Sequence, residues 1–568
     1  MSPELSDSRR LTGANLFWDR PSAIIDAKFT DDPEPFIASW STTAISLLRA
    51  VGLSEEKLCH RVFDGGFSVL ISAPVDVLYS MCELNEAAFA LALNLSGYNS
   101  ETDFDESVIR LKTLFAEEQN PQLLLLQAAA REHQVPYLWD DDLVSVGYGK
   151  TAQIWPPNKL PAPEDVDWQS IAGIPVALVT GTNGKSTTVR MSAAIMAASG
   201  KRAGLTSTDW IRIGEKILDH GDYSGTGGAR TLMRHPDTEV AVLETARGGL
   251  LRRGLGVEKV AAAVITNVAA DHLGDYGINT VAELIETKFI VRRALDNNAP
   301  LILNADDEGI AKFATGIDCK IIWFSLDPSN PVIVSHLAAG GRAAILKDDA
   351  LKLVSADESN SIINLVDIPA TMNGAAKHNI QNALAAMALC HVLGAEDQAI
   401  HDGLASFQGN ESDNPGRGNW FKKDGVQILV DFAHNAHGMD ALSTMVSQVP
   451  AQRRVLLIGQ AGDRLDKEIA DMTLAACGMK PDTILACALP GYERGRPQSE
   501  VQNLIRQTAI KTGVSPNQIF DFDSPPQAAN SALQNADNGD LLVFLALTQR
   551  EEVFKLVHDF IGESNSGL

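Results

Sequence analysis

Cysteine pairs, positive charge and long apolar runs are scarce in this sequence, and each absence narrows what the chain can be. Its six cysteines are scattered over 568 residues and form neither a CxxC pair nor a Cys/His spacing typical of zinc. Neither a disulfide framework nor a zinc site is indicated, and reduced thiols in a cytoplasmic protein are the plain interpretation. The N-terminal MSPELSDSRR lacks the apolar core of a signal peptide, and no apolar run approaches the roughly 18 residues of a membrane helix.

Basic residues are outnumbered by acidic ones. The chain has 47 Lys and Arg against 72 Asp and Glu, a formal net charge of −25. This balance argues against a broad nucleic-acid-binding surface, because phosphate backbones are neutralised by Lys and Arg. The hydrophobic fraction of 45% is ordinary for a globular protein. At about 150 residues per domain, the length predicts three or four domains.

The most informative stretch is VALVTGTNGKSTTVRM at 176–191. Four apolar residues predict a buried strand, a glycine loop follows, and a helical pattern then runs to Gly200. This geometry binds phosphate, because glycines let backbone N–H groups approach the anion at a helix N-terminus. Lys185 would reach the outer phosphates, and Ser186 or Thr187 would hold Mg²⁺. Val179 stands where the common Walker pattern has glycine, so the sequence predicts a variant phosphate loop.

The chain before this loop has a different pattern. Residues 1 to about 155 predict an α+β region, with a strand in RPSAIIDAKF, two helices and a glycine-containing strand or hairpin in VGYGKTAQIW. The Pro-rich, acidic stretch PPNKLPAPEDVDW predicts a linker.

Strands and helices alternate from about residue 170, which predicts parallel sheets covered by helices on both faces. Candidate strands of the first set lie at 176–179, 240–243, 261–265 and 301–303, and VAELIETKFIVRRALDNN is a candidate helix. A second set begins near Ile428 with ILVD, VLLIG, TILAC and LLVFLA. NPGRGN at 414–419 is a candidate hinge between the two sets, because its glycines and proline suit neither regular structure.

Polar residues follow several of these strands, at the edge where α/β sheets place their sites. Glu244 comes directly after VAVL and could hold Mg²⁺. Asn267, Asp271 and His272 follow AAAVI, and His272 could be a metal ligand. Taken singly, Glu244 could equally be a surface acid, His272 a hydrogen-bonded surface histidine, and Lys288 a solvated helix lysine.

Further motifs follow in a fixed order: NADD at 304–307, HNIQN at 378–382, PGR at 415–417 and DFAHN at 431–435. Together with TGTNGKST, the strand-end Glu and the DH pair, this order resembles the Mur ligase family, which makes amide bonds with ATP. The motifs ETARGGLLRRGLG, TNVAADHLGDYG, AGDRLD and ERGR resemble the ligase half of the cyanophycin synthetases. LTGANLFWDRP and VPYLWDDDLVSVGYGK resemble their first domain, while the ATP-grasp module that would follow it is missing from the pattern.

The resemblance implies an α/β protein with an N-terminal α+β domain at 1–157 and a linker at 158–170. A P-loop central ATP-binding domain with a parallel sheet would cover 171–412, and a C-terminal Rossmann-like domain 413–568. It also implies that ATP phosphorylates a carboxylate and that an amine then displaces phosphate to form an amide. Closure about the hinge would exclude water, which matters because acyl phosphates hydrolyse.

The resemblance further implies the roles of single residues. Ser186 and Glu244 would hold one Mg²⁺, and His272 would help to hold a second. Lys288 matches a lysine that some Mur ligases carry carbamylated. The catalytic candidates are thus Lys185, Glu244, His272 and Lys288; those for ATP are Gly181, Thr182, Asn183, Gly184, Lys185, Ser186, Thr187, Asn379, Arg417, Asp431 and His434.

Two departures fall where substrate is expected, so the acceptor and the amine stay open. Ser224-Gly225-Thr226 replaces the usual Thr-Gly-Pro, and AHNA replaces AHNP before His437. The leading hypothesis is a ligase that joins an amino acid to a peptide carboxylate, as a monomer or a homo-oligomer. A second is a non-catalytic polymer-binding subunit that partners a separate ATP-grasp ligase. A third and weaker hypothesis is a P-loop kinase or ATPase.

Overall fold

A computed structural model describes residues 2–497 and 499–562, which fold into three successive regions, each with its own main sheet. Among these residues, no helix combines the length and the apolar character needed to cross a bilayer.

The N-terminal region contains a four-stranded antiparallel sheet in the order β1-β2-β4-β3, and a small three-stranded sheet, β5-β6-β7. Helices α1 and α2 pack on the larger sheet, where the fully buried Trp40 donates its indole N–H to Asn85 at 2.8 Å. Its elements are β1 (Glu4–Leu11), β2 (Ser22–Lys28), α1 (Glu34–Ala50), β3 (Leu58–Phe63), β4 (Gly66–Ser72), α2 (Leu78–Leu95), α3 (Phe104–Glu118), α4 (Pro121–Glu132), β5 (Tyr137–Trp139), β6 (Val144–Val146) and β7 (Gln153–Trp155).

The segment that follows β7 contains three short 3₁₀ turns. It is packed, because Val166 and Ile171 are buried in one cluster with Leu126 of α4. Trp168 also stacks on His133, with ring centroids 4.9 Å apart. The residues expected to form a linker therefore lie against the N-terminal region.

The middle region has an eleven-stranded sheet in the order β11-β10-β9-β12-β8-β13-β14-β15-β16-β17-β18. Its elements are β8 (Val176–Thr180), α5 (Lys185–Ala198), β9 (Ala203–Thr206), β10 (Trp210–Ile213), β11 (Lys216–His220), α6 (Thr226–Arg234), β12 (Val240–Glu244), α7 (Arg247–Arg253), β13 (Ala262–Ile265), α8 (Val281–Lys288), β14 (Leu301–Asn304), α9 (Glu308–Ala314), β15 (Ile321–Ser325), α10 (Pro331–Ala338), β16 (Arg342–Lys347), β17 (Ala350–Val354), β18 (Ser359–Asn364), α11 (Lys377–Val392) and α12 (Asp397–Ser406).

The parallel sheet expected from the alternating pattern is present from β9 through β12, β8, β13, β14 and β15 to β16. Antiparallel strands extend it at both edges, which the sequence analysis did not anticipate. The predicted helix after residue 280 is also shorter than expected. α8 ends at Lys288 and a 3₁₀ segment follows, where Phe289, Ile290 and Val291 are all buried. Three successive buried positions do not fit one buried face of an α-helix.

The C-terminal region has a six-stranded sheet in the order β19-β20-β24-β21-β22-β23, parallel except at β19. The second set of predicted strands is thus confirmed as one α/β unit. Its elements are β19 (Asn419–Lys423), β20 (Val426–Asp431), α13 (Ala436–Ser447), β21 (Arg453–Ile458), α14 (Asp466–Cys477), β22 (Thr483–Cys487), α15 (Glu500–Lys511), β23 (Ile519–Phe522), α16 (Pro525–Gln534), β24 (Asp540–Leu545) and α17 (Arg550–Ile561).

Main-chain contacts join the N-terminal and middle regions. The amide of Thr12 donates to Arg253 O at 2.7 Å, and the amide of Leu255 donates to Ala14 O at 2.8 Å. Gly13 lies between them, where an added Cβ would come 2.3 Å from Leu255 O. The two backbones are therefore in direct contact, with no room for a side chain.

Candidate active site

The phosphate loop joins β8 to α5. Gly181 has a φ of 145° and Gly184 a φ of 82°, and Gly184 is the N-cap of α5. A Cβ at Gly181 would lie 1.9 Å from Thr266 Oγ1, and one at Gly184 would lie 2.2 Å from Asn382 Oδ1. Glycine is required at both positions, because the conformation and the close neighbours exclude a side chain. The loop thus presents bare backbone at a helix N-terminus.

Residues after β13 fix the shape of this loop. The amide of Asn183 donates to Asn267 Oδ1 at 2.9 Å, and the amide of Thr182 donates to Asn267 O at 2.8 Å. Thr266 Oγ1 in turn donates to Asn183 O at 2.6 Å. The loop is therefore held in position by the neighbouring strand end before any ligand binds.

Glu244 ends β12, directly beside β8 in the sheet. Its side chain is only 2% exposed, and neither carboxylate oxygen has a hydrogen-bond partner in the structure. A buried carboxylate without a partner is costly unless it binds a cation. Mg²⁺ fits this arrangement, because it takes one or two protein oxygens and completes its shell with water and substrate phosphates.

The hydroxyls at the start of α5 differ in what they contact. Thr187 Oγ1 accepts a hydrogen bond from Asn414 Nδ2 at 3.1 Å, so it is engaged with the hinge segment. Ser186, Thr187 and Glu244 all line the cleft, and among the described residues the Ser186 hydroxyl is not engaged with the hinge segment. Of the two hydroxyls considered from the sequence, Ser186 is therefore the better candidate for the metal. Within residues 2–497 and 499–562, no three His, Cys, Asp or Glu side chains form a complete metal site by themselves, so phosphate oxygens would complete it.

Two lysines face this cleft from opposite elements. Lys185 opens α5 and donates from Nζ to Thr182 O at 2.9 Å. Lys288 ends α8 and is 3% exposed. Burial, followed by the nearby charge of Lys185, lowers the pKa of Lys288 well below its ordinary value. The shift raises the share of the neutral amine, which is the form of lysine that can add carbon dioxide to give a carbamate.

The Asp271–His272 pair lies in the loop after β13 and contacts the C-terminal region. Arg464 Nη1 is 2.8 Å from Asp271 Oδ1, and Arg464 Nη2 lies 3.1 Å from His272 Nε2. Burial disfavours the charge on Asp271, but His434, whose Nε2 lies 3.9 Å from Asp271 Oδ2, and the Arg464 charge outweigh it and hold the pKa of Asp271 far below its ordinary value. Desolvation and Arg464 lower the pKa of His272. Asp271 is thus a fixed anion, and His272 is uncharged near neutral pH.

The segment from His272 to Gly277 has an unusual backbone. Four of its residues have positive φ: His272 at 50°, Gly274 at 101°, Tyr276 at 54° and Gly277 at 66°. At the two non-glycine positions this conformation costs roughly 1–3 kcal/mol each. Arg247, the first residue of α7, holds the segment by donating to His272 O and to Asp275 Oδ2.

Asn183 of the phosphate loop pairs with the C-terminal region. Its Nδ2 donates to Asn435 Oδ1 at 3.1 Å, and Asn435 Nδ2 donates back to Asn183 Oδ1 at 3.0 Å. Asn435 also caps α13 by accepting from the amide of Gly438 at 2.9 Å. His437 directly follows Ala436, the residue that departs from AHNP, and its Nδ1 lies 3.0 Å from Asn183 Nδ2. The C-terminal region thus covers the phosphate loop.

The hinge side of the cleft contains a cluster around Asp209. Its carboxylate binds Arg190, which is fully buried, Arg417 at 3.1 Å and Arg550 at 2.8 Å. Burial opposes the charge, but these arginines hold the pKa of Asp209 well below its ordinary value. Arg417 Nη2 also donates to Thr208 Oγ1 at 2.9 Å, and its guanidinium lies 5.3 Å from the Phe432 ring centroid.

The remaining predicted residues lie on two sides of the cleft. Asn379, in the first turn of α11, donates to Ala370 O at 2.8 Å and accepts from Asn382 at 3.2 Å. Asp431 ends β20 and accepts from the amide of Ala433 at 2.7 Å. Burial raises the pKa of Asp431 to about 6. His434 Nδ1 lies 3.0 Å from Phe432 O.

One cleft of 980 Å³ between the middle and C-terminal regions contains every site residue named from the sequence. Arg247, Arg252, Arg494 and Lys377 line it as well and were given no role from the sequence. Asp209 and Arg464 were also given no role, although both make buried ion pairs across the interface. For Arg464 a signal existed, since AGDRLD directly follows the strand VLLIG. No motif in the sequence indicated a role for Asp209.

Comparison with known proteins places two family models on the regions that form the cleft. The Mur ligase middle domain matches residues 179–390, and the Mur ligase, glutamate ligase domain matches residues 416–546. The chain belongs to the Mur ligase family. The boundary between the two matches falls at the hinge segment 414–419, so the cleft is formed where the two Mur ligase domains meet.

Curated relatives include cyanophycin synthetases. The protein of Trichormus variabilis is 36% identical over 374 residues, which cover 66% of this chain and 41% of the relative. That of Nostoc sp. is 36% identical over 400 residues, which cover 69% of this chain and 44% of the relative. The chain therefore spans less than half the length of these relatives. The 2,6-diaminopimelate-adding Mur ligase of Geobacter metallireducens is 28% identical over 51% of this chain and 56% of its own length.

Solved structures that are similar to this chain include MurF from Acinetobacter baumannii, with a TM-score of 0.48 and 18% identity over 68% of this chain and 77% of that one. E. coli FolC in complex with DHPP and ADP has a TM-score of 0.49 and 20% identity, over 68% of this chain and 89% of FolC.

Proposed function

We propose that this chain is an ATP-dependent, ADP-forming ligase that joins an amino-acid amine to a peptide or amino-acid carboxylate. The observation that carries the proposal is Glu244, a buried carboxylate with both oxygens unpaired, next to a phosphate loop and two lysines. A protein that only held a polymer would gain nothing from a buried carboxylate without a hydrogen-bond partner beside a phosphate site. Membership of the Mur ligase family supports the same reaction class.

The reaction would proceed in two displacements. A carboxylate oxygen of the acceptor attacks the γ-phosphorus of ATP, and ADP leaves. The amine then attacks the carbonyl carbon of the acyl phosphate, the carbon–oxygen bond to phosphate breaks, and the amine loses a proton. Neither step needs a side-chain nucleophile, so positioning and charge neutralisation would supply the catalysis.

Different residues of the cleft would bind the phosphates, the metal ions and the rest of ATP. The backbone of residues 181–184 and Lys185 would bind the β- and γ-phosphates, while Ser186 and Glu244 would hold Mg²⁺. Mg²⁺ would offset the charge that develops on the transferred phosphoryl group. His272 and Lys288, as a carbamate, are the candidates for a second ion. Asn379, Arg417, Asp431 and His434 would contact ATP from both sides of the cleft.

The charges of the cleft indicate the class of acceptor. Arg247 and Arg252 on α7, Lys377 and Arg494 also line the cleft, and none of them is assigned to ATP. Four cationic side chains suit an anionic acceptor, so a peptide with acidic side-chain carboxylates is the proposed substrate. The acidic Asp222 and Asp463 also line the cleft and would suit a cationic amine such as arginine.

Phosphate release tests the proposal. The twenty amino acids and several diamines would be crossed against peptides with and without β-linked aspartate. Release is expected only when ATP, acceptor and amine are all present, and mass spectrometry should find the amide product. Lys185→Ala should lower turnover at least about 100-fold with an unchanged fold. Full activity of this variant would reject the phosphate-loop assignment.

The order of the elements favours one alternative. Because β7 leads through three short 3₁₀ turns directly into β8, with no ATP-grasp module between them, the second candidate is a non-catalytic subunit that binds polymer for a separate ATP-grasp ligase. That alternative predicts no ATP binding by calorimetry and copurification with such an enzyme. Micromolar binding of a non-hydrolysable ATP analogue with Mg²⁺ would reject it.

A further inference from the structure

The segment His272–Gly277 is held by all three regions of the chain. Arg464 of the C-terminal region contacts the His272 ring, and Arg247 of α7 holds the His272 carbonyl. Further contacts come from the N-terminal region, 200 or more residues earlier in the chain. Tyr276 and Asp275 line the cleft, so this segment forms part of its wall. Its left-handed residues need such support, because the conformation persists only where the surroundings enforce it.

The β3–β4 hairpin of the N-terminal region makes the tightest of these contacts. Arg61 donates to Gly277 O at 2.9 Å and to Glu283 Oε1 at 2.7 Å. The Phe63 ring lies against Gly277, where an added Cβ would come 2.4 Å from it. Glu283 belongs to the capping box that starts α8, and α8 ends at Lys288. One arginine therefore fixes both the end of the strained segment and the start of the helix that carries Lys288.

Arg9 of β1 makes the second contact. Its guanidinium lies 4.6 Å from the centroid of the Tyr276 ring. Asp26 holds this guanidinium in place at 2.6 Å, and the side chains are 8% and 6% exposed. Arg9 Nε also donates to Leu251 O of α7 at 3.1 Å. A buried arginine held by Asp26 thus packs on the Tyr276 ring and also contacts α7, whose first residue, Arg247, holds His272.

We propose that the N-terminal region is a built-in part of the ligase site, and that Arg61 and Arg9 are positioning residues that hold His272–Gly277 and α8 in place. The inference rests on the proposed function for its kinetic readout. The N-terminal region would thus shape the cleft of its own chain, whether or not it also binds a polymer.

The same interface offers a matched control. Arg131 of the N-terminal region pairs with Glu258 of the middle region at 3.2 Å, and these side chains are 60% and 49% exposed. Arg131 is absent from the residues that line the active-site cleft. Arg61→Met and Arg131→Met each remove one arginine from this interface, but only the first removes support from the cleft wall.

The kinetic test compares these two variants in the full-length chain. We expect Arg61→Met to lower kcat/KM for the acceptor roughly 10- to 100-fold, because small misplacements of reacting groups have effects of this size. The KM for ATP should change less than about threefold, since the phosphate loop is held by other residues. Arg61→Lys, which keeps the charge and one donor, should recover part of the loss. Arg131→Met should behave as the unsubstituted chain.

Hydrogen exchange provides a test that does not depend on activity. The amide of Gly274 donates to Ile278 O at 2.8 Å and reports on the segment. In Arg61→Met, exchange across 272–279 should rise at least about tenfold, while exchange in β8 stays unchanged. Equal exchange and equal kinetics in both arginine variants would overturn the inference. If the unsubstituted chain shows no ligase activity, the proposed function fails, and the exchange data still decide whether the N-terminal region positions this segment.

Discussion

The middle region is contacted from two sides, and the two interfaces are built differently. Its contact with the N-terminal region includes main-chain hydrogen bonds at Thr12 and Leu255 and a glycine with no room for a side chain. Its contact with the C-terminal region around the cleft is made by side chains, namely the Asn183–Asn435 pair and the ion pairs of Asp271 and Asp209.

This difference indicates which interface can open. Main-chain contacts and close-packed backbone require a fixed geometry, whereas long charged side chains can separate and pair again over several ångströms. A ligase must admit ATP and then exclude water, so one side of its cleft has to move. We therefore expect the C-terminal region to close and the N-terminal region to stay in place.

The largest effect should come from removing Arg464 from the interface between the middle and C-terminal regions. Arg464→Met removes the partner of Asp271 and the contact with His272, so kcat should fall about 100-fold, equivalent to about 2.7 kcal/mol. Small-angle scattering with ATP analogue bound should show a more open chain. Arg506→Met, which removes the exposed pair with Asp521 in the same region, is the control and should change neither quantity. Normal closure in Arg464→Met would contradict the comparison.

The second-largest effect should be a loss of stability when the interface between the N-terminal and middle regions is disturbed. In Gly13→Ala the new methyl group would meet Leu255 O, and the two backbones would have to separate. We expect the free energy of unfolding to fall by about 2 kcal/mol and the thermal midpoint to fall by several degrees. Gly316→Ala, after α9 in the middle region, has nothing within 4 Å and no positive φ, so it should change stability by less than about 0.5 kcal/mol. Equal losses in both variants would show that the contact with Leu255 is unimportant.

A smaller effect is expected from pH at Asp431. Burial raises its pKa to about 6 in the folded chain, above the ordinary value of 3.8. The folded state therefore binds more protons than the unfolded state between these values, and stability falls as the pH rises from about 4 to about 6. Asp431→Asn removes this dependence and should stabilise the chain by about 1–2 kcal/mol at pH 7.5.

Denaturant unfolding at pH 4 and at pH 7.5 checks the sign. The two chains should differ little at pH 4, because Asp431 is then largely protonated in the folded state. A stabilisation that is equal at both pH values would show that ionisation of Asp431 is not its cause.

The smallest effect should come from salt. Raising the ionic strength from about 0.05 to 0.5 M screens the half-exposed ion pairs and should favour opening by less than about 1 kcal/mol. Fluorescence transfer between labels on the middle and C-terminal regions should report this opening. The same measurement between the N-terminal and middle regions should not change with salt, and a change there would remove the distinction between the two interfaces.

The sequence allowed most of the cleft to be predicted, because its key residues follow apolar runs in chain order. Glu244 ends β12 and Asp431 ends β20, and parallel strands bring such ends to one edge of a sheet. The antiparallel edge strands were missed, since short strands near a sheet edge lack the long apolar runs of buried ones. The pattern also could not reveal partners such as Arg464 and Asp271, which are 193 residues apart and meet only when the regions pack.

The Asp209 cluster has a consequence for folding during synthesis on the ribosome. Asp209 can pair with Arg190 as soon as the middle region folds, but Arg550 lies 341 residues further along the chain. A chain that is still on the ribosome therefore lacks the last arginine of the cluster until α17 has been synthesised. We expect nascent chains to hold the middle region folded with an incomplete hinge, so that ATP is consumed only after synthesis has passed α17.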